Sequence, residues 1–325
     1  MIFARRQFLS LAGAIVSMPA LSSLSLADDY PARPVRLLVG YPPGGPTDII
    51  ARLIAERLAD RLHVKFFVEN RPGADGSVAA EVCVRASPDG YTLLMISGAN
   101  VYNTALYEHL NFDFIRDITP VASIGRVWAV LEVHPSVPVR TVPEFIAYAR
   151  TQPGKLNIAS AGVGSGPHLY SELFKQMTGV DFQTVQYPGA GPALTDLVAG
   201  RAQAMFDLVV SSINYIKVGN LRPLGVTSIE RLSILPEIPP ITDFVPGYKT
   251  EGWYGLGAPA GTATEIVNKL NNEVNEALTD PQFVARLAEI GVEPFANLPG
   301  EFRQFVIEFA DKWVKIIRAA DIKLD

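Results

Sequence analysis

The chain has 325 residues, with 28 Lys and Arg against 33 Asp and Glu and a formal charge of −5 at neutral pH. An acidic chain without a basic cluster is a poor partner for nucleic acid, a single cysteine excludes an internal disulfide, and no apolar run beyond the N-terminus is long enough to span a membrane. The length suits two domains of roughly 150 residues each.

Residues 1–27 read as an export segment rather than part of the fold. Arg5 and Arg6 form a positive start, Phe8 to Leu26 is apolar or small, and Ser25-Leu26-Ala27 is a small-x-small site that predicts cleavage after Ala27. Ala4-Arg5-Arg6-Gln7-Phe8-Leu9-Ser10 also fits a twin-arginine signal. A general secretory signal with two adjacent arginines fits too, and both routes end in the bacterial periplasm. No cysteine lies near the cleavage site, so no lipid anchor is expected there. Cleavage leaves 26 basic against 33 acidic side chains, a formal charge of −7.

Val35 to Val39 is a short apolar run that predicts a strand covered on both faces. Pro42-Pro43-Gly44-Gly45 ends it, and apolar residues at Ile50, Leu53, Ile54, Leu58 and Leu62 then follow helical spacing. The glycines permit close backbone approach, and the free N–H groups of the first helical turn make an anion site. Tyr41, Pro43, Gly44, Gly45, Thr47 and Asp48 are the candidate contacts here. A plain strand-to-helix connection explains the same pattern.

Val64–Val68 predicts a second strand, Glu69 to Gly76 a turn cluster, and Ser77 to about Arg85 a helix of small residues. Cys83 sits among Val82, Val84, Ala79 and Ala80 and reads as a small buried hydrophobe. Tyr91–Ile96 predicts a third strand, and this alternation predicts a parallel sheet. Ser97 and Asn100, in the loop leaving its carboxyl end, are candidate contacts because ligands bind there in open α/β sheets. Val127–Val133 reads as one long strand crossing into a second domain, and a helix begins after Thr141.

Leu156–Ser160 opens a second glycine loop, Ser160-Ala161-Gly162-Val163-Gly164-Ser165-Gly166-Pro167-His168. It repeats the logic of the first, with Pro167 where a first helical turn tolerates proline. Ser160, Gly162, Gly164, Ser165 and His168 are its candidates; N-capping alone would also explain Ser165. A nucleophile elbow would need glycines at positions 163 and 167, which are valine and proline, and a dinucleotide fingerprint starting at Gly162 would end on Pro167. Gln183 to Leu194 is a third strand, loop and helix, offering Tyr187, Gly189 and Ala190. Ala202–Asp207 returns as a strand, with Asp207 placed to accept loop amides or simply to end the strand. Trp253 to Thr262 reads as the crossing back. Helices follow, and the last carries the stripe Phe302, Phe305, Val306, Phe309, Trp313, Ile316 and Ile317, which reads as core against the first domain.

None of the three glycine loops contains lysine or arginine. If they converge, amides, hydroxyls and positive helix ends line a cleft suited to a small carboxylate. Neither a metal-ligand cluster nor a cofactor motif is evident: His63, His109, His134 and His168 are scattered.

Six stretches in order strengthen this reading: Tyr41 to Asp48, Val68 to Ala74, Ser87 to Leu93, Gly162 to Leu169, Tyr187 to Leu197 and Gly255 to Thr262. Together they resemble the tripartite tricarboxylate transporter substrate-binding proteins, the Bug family of extracytoplasmic solute receptors. The resemblance implies an α/β type II periplasmic binding protein fold, two α/β domains joined by two crossing strands. On this sequence they are residues 28–126 with 253–325, and residues 127–252. It implies a monomeric, non-enzymatic receptor that closes on a small mono- or dicarboxylate and hands it to an inner-membrane permease. It also implies that the first loop and the Gly162–Ser165 loop hold one carboxylate through backbone and water, while the far end sets specificity. Arg126 is a candidate for a second carboxylate only if it faces the cleft. Two other readings stay open: a co-receptor presenting ligand to a membrane sensor kinase, and a periplasmic enzyme, which would need both a cleft acid such as Asp207 with a strongly raised measured pKa and turnover of a ligand.

Overall fold

The computed structural model describes residues 30–107 and 110–319; the predicted export segment and its cleavage site lie outside them, as does His109. In chain order, β1 (Val35–Val39), α1 (Pro46–Leu62), β2 (Phe66–Asn70), α2 (Ser77–Val84), β3 (Thr92–Ser97), α3 (Gly98–Leu106), α4 (Phe114–Asp117) and β4 (Ile118–Val127) come first. Next are β5 (Ala129–Val133), α5 (Val142–Thr151), β6 (Asn157–Ser160), α6 (Gly166–Thr178), β7 (Gln183–Gln186), α7 (Ala190–Val198), β8 (Ala204–Leu208), α8 (Val209–Lys217) and β9 (Arg222–Val226). The chain closes with β10 (Gly252–Pro259), α9 (Thr264–Ala277), α10 (Pro281–Glu289), β11 (Val292–Pro294) and α11 (Pro299–Ala319).

These strands form two mixed sheets, ordered β11-β4-β10-β3-β1-β2 and β7-β6-β8-β5-β9. In the first, β1 runs parallel to β2 and β3, while β10 is antiparallel to β3 and β4. In the second, β6 runs parallel to β7 and β8, while β5 is antiparallel to β8 and β9. The central parallel strands β1 and β3 read as apolar runs because both their faces are covered, whereas β2 and β7 at the sheet edges stay partly exposed. Leu37, Leu38 and Val39 of β1 are fully buried, and α1 turns Ile50, Ile54 and Leu58 onto the sheet.

The strand expected over Val127–Val133 is two strands. Val127 still pairs with Gly252 in the six-stranded sheet, whereas Ala129 pairs with Leu208 in the five-stranded one. The switch is made at Trp128, whose carbonyl accepts the Val209 amide at 2.9 Å. The unbroken apolar run hides this switch, because a strand reads the same whichever sheet it joins.

Phe302, Val306, Phe309, Trp313 and Ile317 of the α11 stripe are core, with Phe305 half-buried at its margin. Trp253 packs edge-on to Phe302, Phe305 and Phe309 at 5.5–5.7 Å between ring centres. Trp313 lies 4.9 Å from Tyr102 of α3 and 6.2 Å from Tyr170 of α6, so one helix packs against elements of both sheets. Cys83 is fully buried, and burial pushes its thiol up to about 12 against a small opposing effect of Arg36. It is an inert packing residue. Among the described residues no helix is long and apolar enough to cross a membrane.

Candidate functional site

A cleft of about 630 Å³, counted to its open mouth, lies where the two sheets' loops meet. Five helices begin at its wall. Their N-cap residues, Gly45 of α1, Ser97 of α3, Ser165 of α6, Gly189 of α7 and Leu208 of α8, all line it. Each contributes unpaired amides and a partial positive charge, about 0.3–1 kcal/mol toward an anion when exposed and up to ~2 kcal/mol when partly buried. Among the described lining residues there is no lysine, arginine or histidine, and Asp207 is the one carboxylate.

In the first loop, Tyr41, Gly45 and Thr47 line the cleft and Pro43, Gly44 and Asp48 do not. Asp48 lies behind the loop as its brace. Its Oδ2 accepts the Gly44 amide at 3.0 Å and Arg52 Nε at 2.9 Å, and its Oδ1 accepts Arg52 Nη2 at 2.8 Å and Asn70 Nδ2 at 2.9 Å. Asn70 also donates to the Tyr41 carbonyl at 2.9 Å. Burial opposes ionisation of Asp48, but the hydrogen bonds from Arg52, Gly44 and Asn70, with the Arg52 charge, hold its carboxyl below the usual range.

The second loop brings Ser165 to the wall, with Ser160, Gly162, Gly164 and His168 behind it. The Ser165 hydroxyl donates to the Gly162 carbonyl at 2.7 Å and accepts the His168 amide at 3.3 Å, so it caps α6 and its proton is already used. Ser160 Oγ donates to the same carbonyl at 3.3 Å. The Gly164 amide donates to His168 Nδ1 at 3.1 Å, which requires that nitrogen to be unprotonated. Burial lowers the His168 pKa in the same direction, against a weaker opposing effect of Glu172.

Ser97 faces the cleft, but Asn100 turns inward and accepts the Ser97 amide at 2.9 Å as a capping partner. In the third loop Gly189 and Ala190 line the wall, whereas the Tyr187 hydroxyl donates to Asp196 Oδ2 at 2.9 Å, away from it. Arg126 also lies off the cleft: its guanidinium stacks over the Phe295 ring at 4.1 Å. Asp207 lines the cleft, and its Oδ2 accepts Ser211 and Ser212 of α8 rather than loop amides.

Two features escaped the sequence reading. Tyr102, Tyr170, Trp253 and Tyr254 form an aromatic wall, although Trp253-Tyr254 in a crossing strand was a signal that one side chain of the pair would meet the cleft. Asp75, in the turn before α2, accepts the Tyr41 hydroxyl at 2.9 Å and lies beside Gly162 and Gly164 of the second loop. Burial pushes its carboxyl up to about 7, with the Tyr41 hydrogen bond opposing. Gly189 likewise meets Pro42, so loops from the two sheets touch across the cleft. Among the described residues no group of three His, Cys, Asp or Glu is placed to hold a metal ion.

Two mixed α/β sheets with a cleft ringed by helix starts define a solute-binding protein of the periplasmic type. The structure overlays that of the periplasmic binding protein BugD with a TM-score of 0.87 at 29% identity, covering 91% of this chain and 100% of the other. It overlays Rpa4515 of R. palustris, solved with adipate, with a TM-score of 0.89 at 38% identity, covering 91% and 100%. Protein BugT of Bordetella pertussis (strain Tohama I) is 32% identical over 321 residues, 98% of each chain. Residues 50–322 match the tripartite tricarboxylate transporter family receptor, and the chain belongs to that family of solute-binding receptors.

Proposed function

We propose that this protein captures a small mono- or dicarboxylate in the cleft and delivers it to a tripartite tricarboxylate-type permease in the inner membrane. The observation that carries the reading is the convergence of five helix N-caps on a wall without a described cationic side chain. Such a wall neutralises an anion with dipoles and amides, partly through water, and releases it more readily than a salt bridge would. Thr47, Ser97, Gly189 and Ala190 present the hydroxyls and amides nearest the ligand. Residues 28–126 with 253–325 move as one unit and 127–252 as the other, hinged at the crossings by Trp128 and Gly252. The adipate bound to Rpa4515 is a ligand of this class. Export and cleavage after Ala27 place the receptor in the periplasm.

The test is a thermal-shift screen of residues 28–325, unfolded and refolded to strip bound ligand, against aliphatic and aromatic carboxylates. A true ligand at 100 times its Kd adds about 2.7 kcal/mol of stability. Absence of a shift with every carboxylate would defeat the reading.

A further inference from the structure

Glu132 of β5 and Asp207 of β8 are both fully buried and lie on one face of the five-stranded sheet, one diagonal step apart. Between them stands Ser212 of α8. Its Oγ is 2.7 Å from Glu132 Oε1 and 2.8 Å from Asp207 Oδ2. A hydroxyl has one proton to donate. It can serve one of the two carboxylates, and the other must then donate back. The contact geometry therefore requires a proton on one of the two acids.

Which acid holds it follows from the surroundings. Asp207 Oδ2 also meets the Ser211 hydroxyl, and Asp207 stands at the start of α8, where the helix favours a negative charge. Among the described contacts Glu132 has only Ser212. The proton thus resides on Glu132, which donates to Ser212, which donates to Asp207. Burial, and for Glu132 the charge of Asp207, push both carboxyls up in agreement with this order. Asp207 Oδ1 is then an ionised oxygen with no well-aligned hydrogen-bond partner, eased only by the adjoining Leu208 amide, on a residue that lines the cleft. A buried acceptor in that condition calls for a donor.

We propose that the Glu132–Ser212–Asp207 relay is the specificity-determining end of the cleft, presenting an ionised acceptor that selects organic acids bearing a hydroxyl or ammonium group over plain diacids. This rests on the carboxylate-capture reading above and names the ligand subclass. A plain diacid can enter only by protonating Asp207, whose free oxygen then donates to the second carboxylate, so its binding takes up one proton. Asp75, pushed up to about 7 behind the first loop and held on the Tyr41 hydroxyl, also titrates near neutrality, but Asp207→Asn leaves it untouched, so only the proton uptake that this variant removes is assigned to Asp207. Burial raises Tyr170 of α6 and Tyr254 of β10 far above neutrality. His168 of α6 is committed to the Gly164 amide, and Lys217 is at the opposite end of α8.

The experiment is calorimetry at pH 8 in two buffers of different ionisation enthalpy. Succinate, glutarate and adipate are each compared with their α-hydroxy and α-amino counterparts. The donor-bearing acids should bind about tenfold tighter than the plain diacid of equal length, without proton uptake. The plain diacids should take up about one proton and tighten as pH falls to 5. Asp207→Asn should abolish both the preference and the uptake. Glu132→Gln, which keeps a neutral donor toward Ser212, should preserve both, whereas Glu132→Leu should not. Plain diacids that bind as tightly as their counterparts without proton uptake, or a preference that survives Asp207→Asn, overturn the relay and leave carboxylate capture standing. If no carboxylate in the wider screen binds, both readings fall together.

Discussion

The first and second glycine loops do the same work with opposite chemistry. Each turns a strand into a helix whose N-cap lines the cleft, and each is held by a side chain four residues beyond a glycine amide. In the first, Asp48 takes the Gly44 amide and is itself held by Arg52, an ion pair half open to water. In the second, His168 takes the Gly164 amide with a neutral ring, and Ser165 ties the loop to the Gly162 carbonyl. The difference lies in the exposure of the neighbours. Arg52 keeps its guanidinium partly solvated, so a charged brace costs little there. Beneath α6 the described surroundings of His168 include no paired carboxylate, and a neutral acceptor is the cheaper way to satisfy an amide.

The contrast breaks most sharply at Asp48. Asp48→Ala removes the acceptor of four hydrogen bonds and should cost about 2–3 kcal/mol in denaturant melts, with ligand affinity falling more than tenfold as the first loop loosens. If affinity and stability were both unchanged, the brace reading would be wrong. The same variant of the second loop's brace, His168→Ala, should spare the Asp48 network.

Glycine substitutions sharpen the comparison at a smaller scale. Gly44 has φ +87° and open space around an added Cβ, so Gly44→Ala should cost only the left-handed backbone penalty, roughly 1–2 kcal/mol. Gly164 has φ +83°, and its Cβ would meet Leu106 Cδ1 at 2.7 Å. Gly164→Ala should therefore cost about 1 kcal/mol more, reduced to the extent that the leucine shifts. Equal melting temperatures for the two variants would show that the second loop is not packed as described.

Acid gives the smallest and most local effect. His168 is depressed in the folded chain, so its contribution is complete above the unfolded value of about 6.5 and is lost as pH falls through the lower folded value. Asp48 is also depressed, but its contribution is complete above about 4 and is lost only below that. Hydrogen exchange should show the Gly164 amide losing protection at a higher pH than the Gly44 amide. The reverse order would contradict the assignment of the two braces.

Much of the cleft was legible because glycine, proline and a following helical period mark a strand-to-helix turn wherever it occurs. Tyr41, Gly45, Thr47, Ser97, Ser165, Gly189, Ala190 and Asp207 all reach the wall. Asp48, Asn100 and His168 belong to the same loops but stand one layer back, since a polar residue after a turn can face the ligand or hold the turn. β4 was invisible for a different reason. Pro120 and Gly125 argue against a strand, yet Pro120 lies beyond the reach of β11, on an edge where its missing N–H is harmless. α8 lacks any capping or breaking signal because it starts directly from the end of β8.

By itself the sequence determined the α/β alternation, the three glycine loops and the family, because each depends on local backbone preference or on residues in a fixed order. Tertiary structure alone decided what those loops face. It split one apolar run between two sheets at Trp128, gathered an aromatic wall from α3, α6 and β10, and set Glu132 beside Asp207 through one serine hydroxyl. Those contacts join residues far apart along the chain. Spacing cannot encode them, since hydrogen bonding and burial act through space once the sheets have packed.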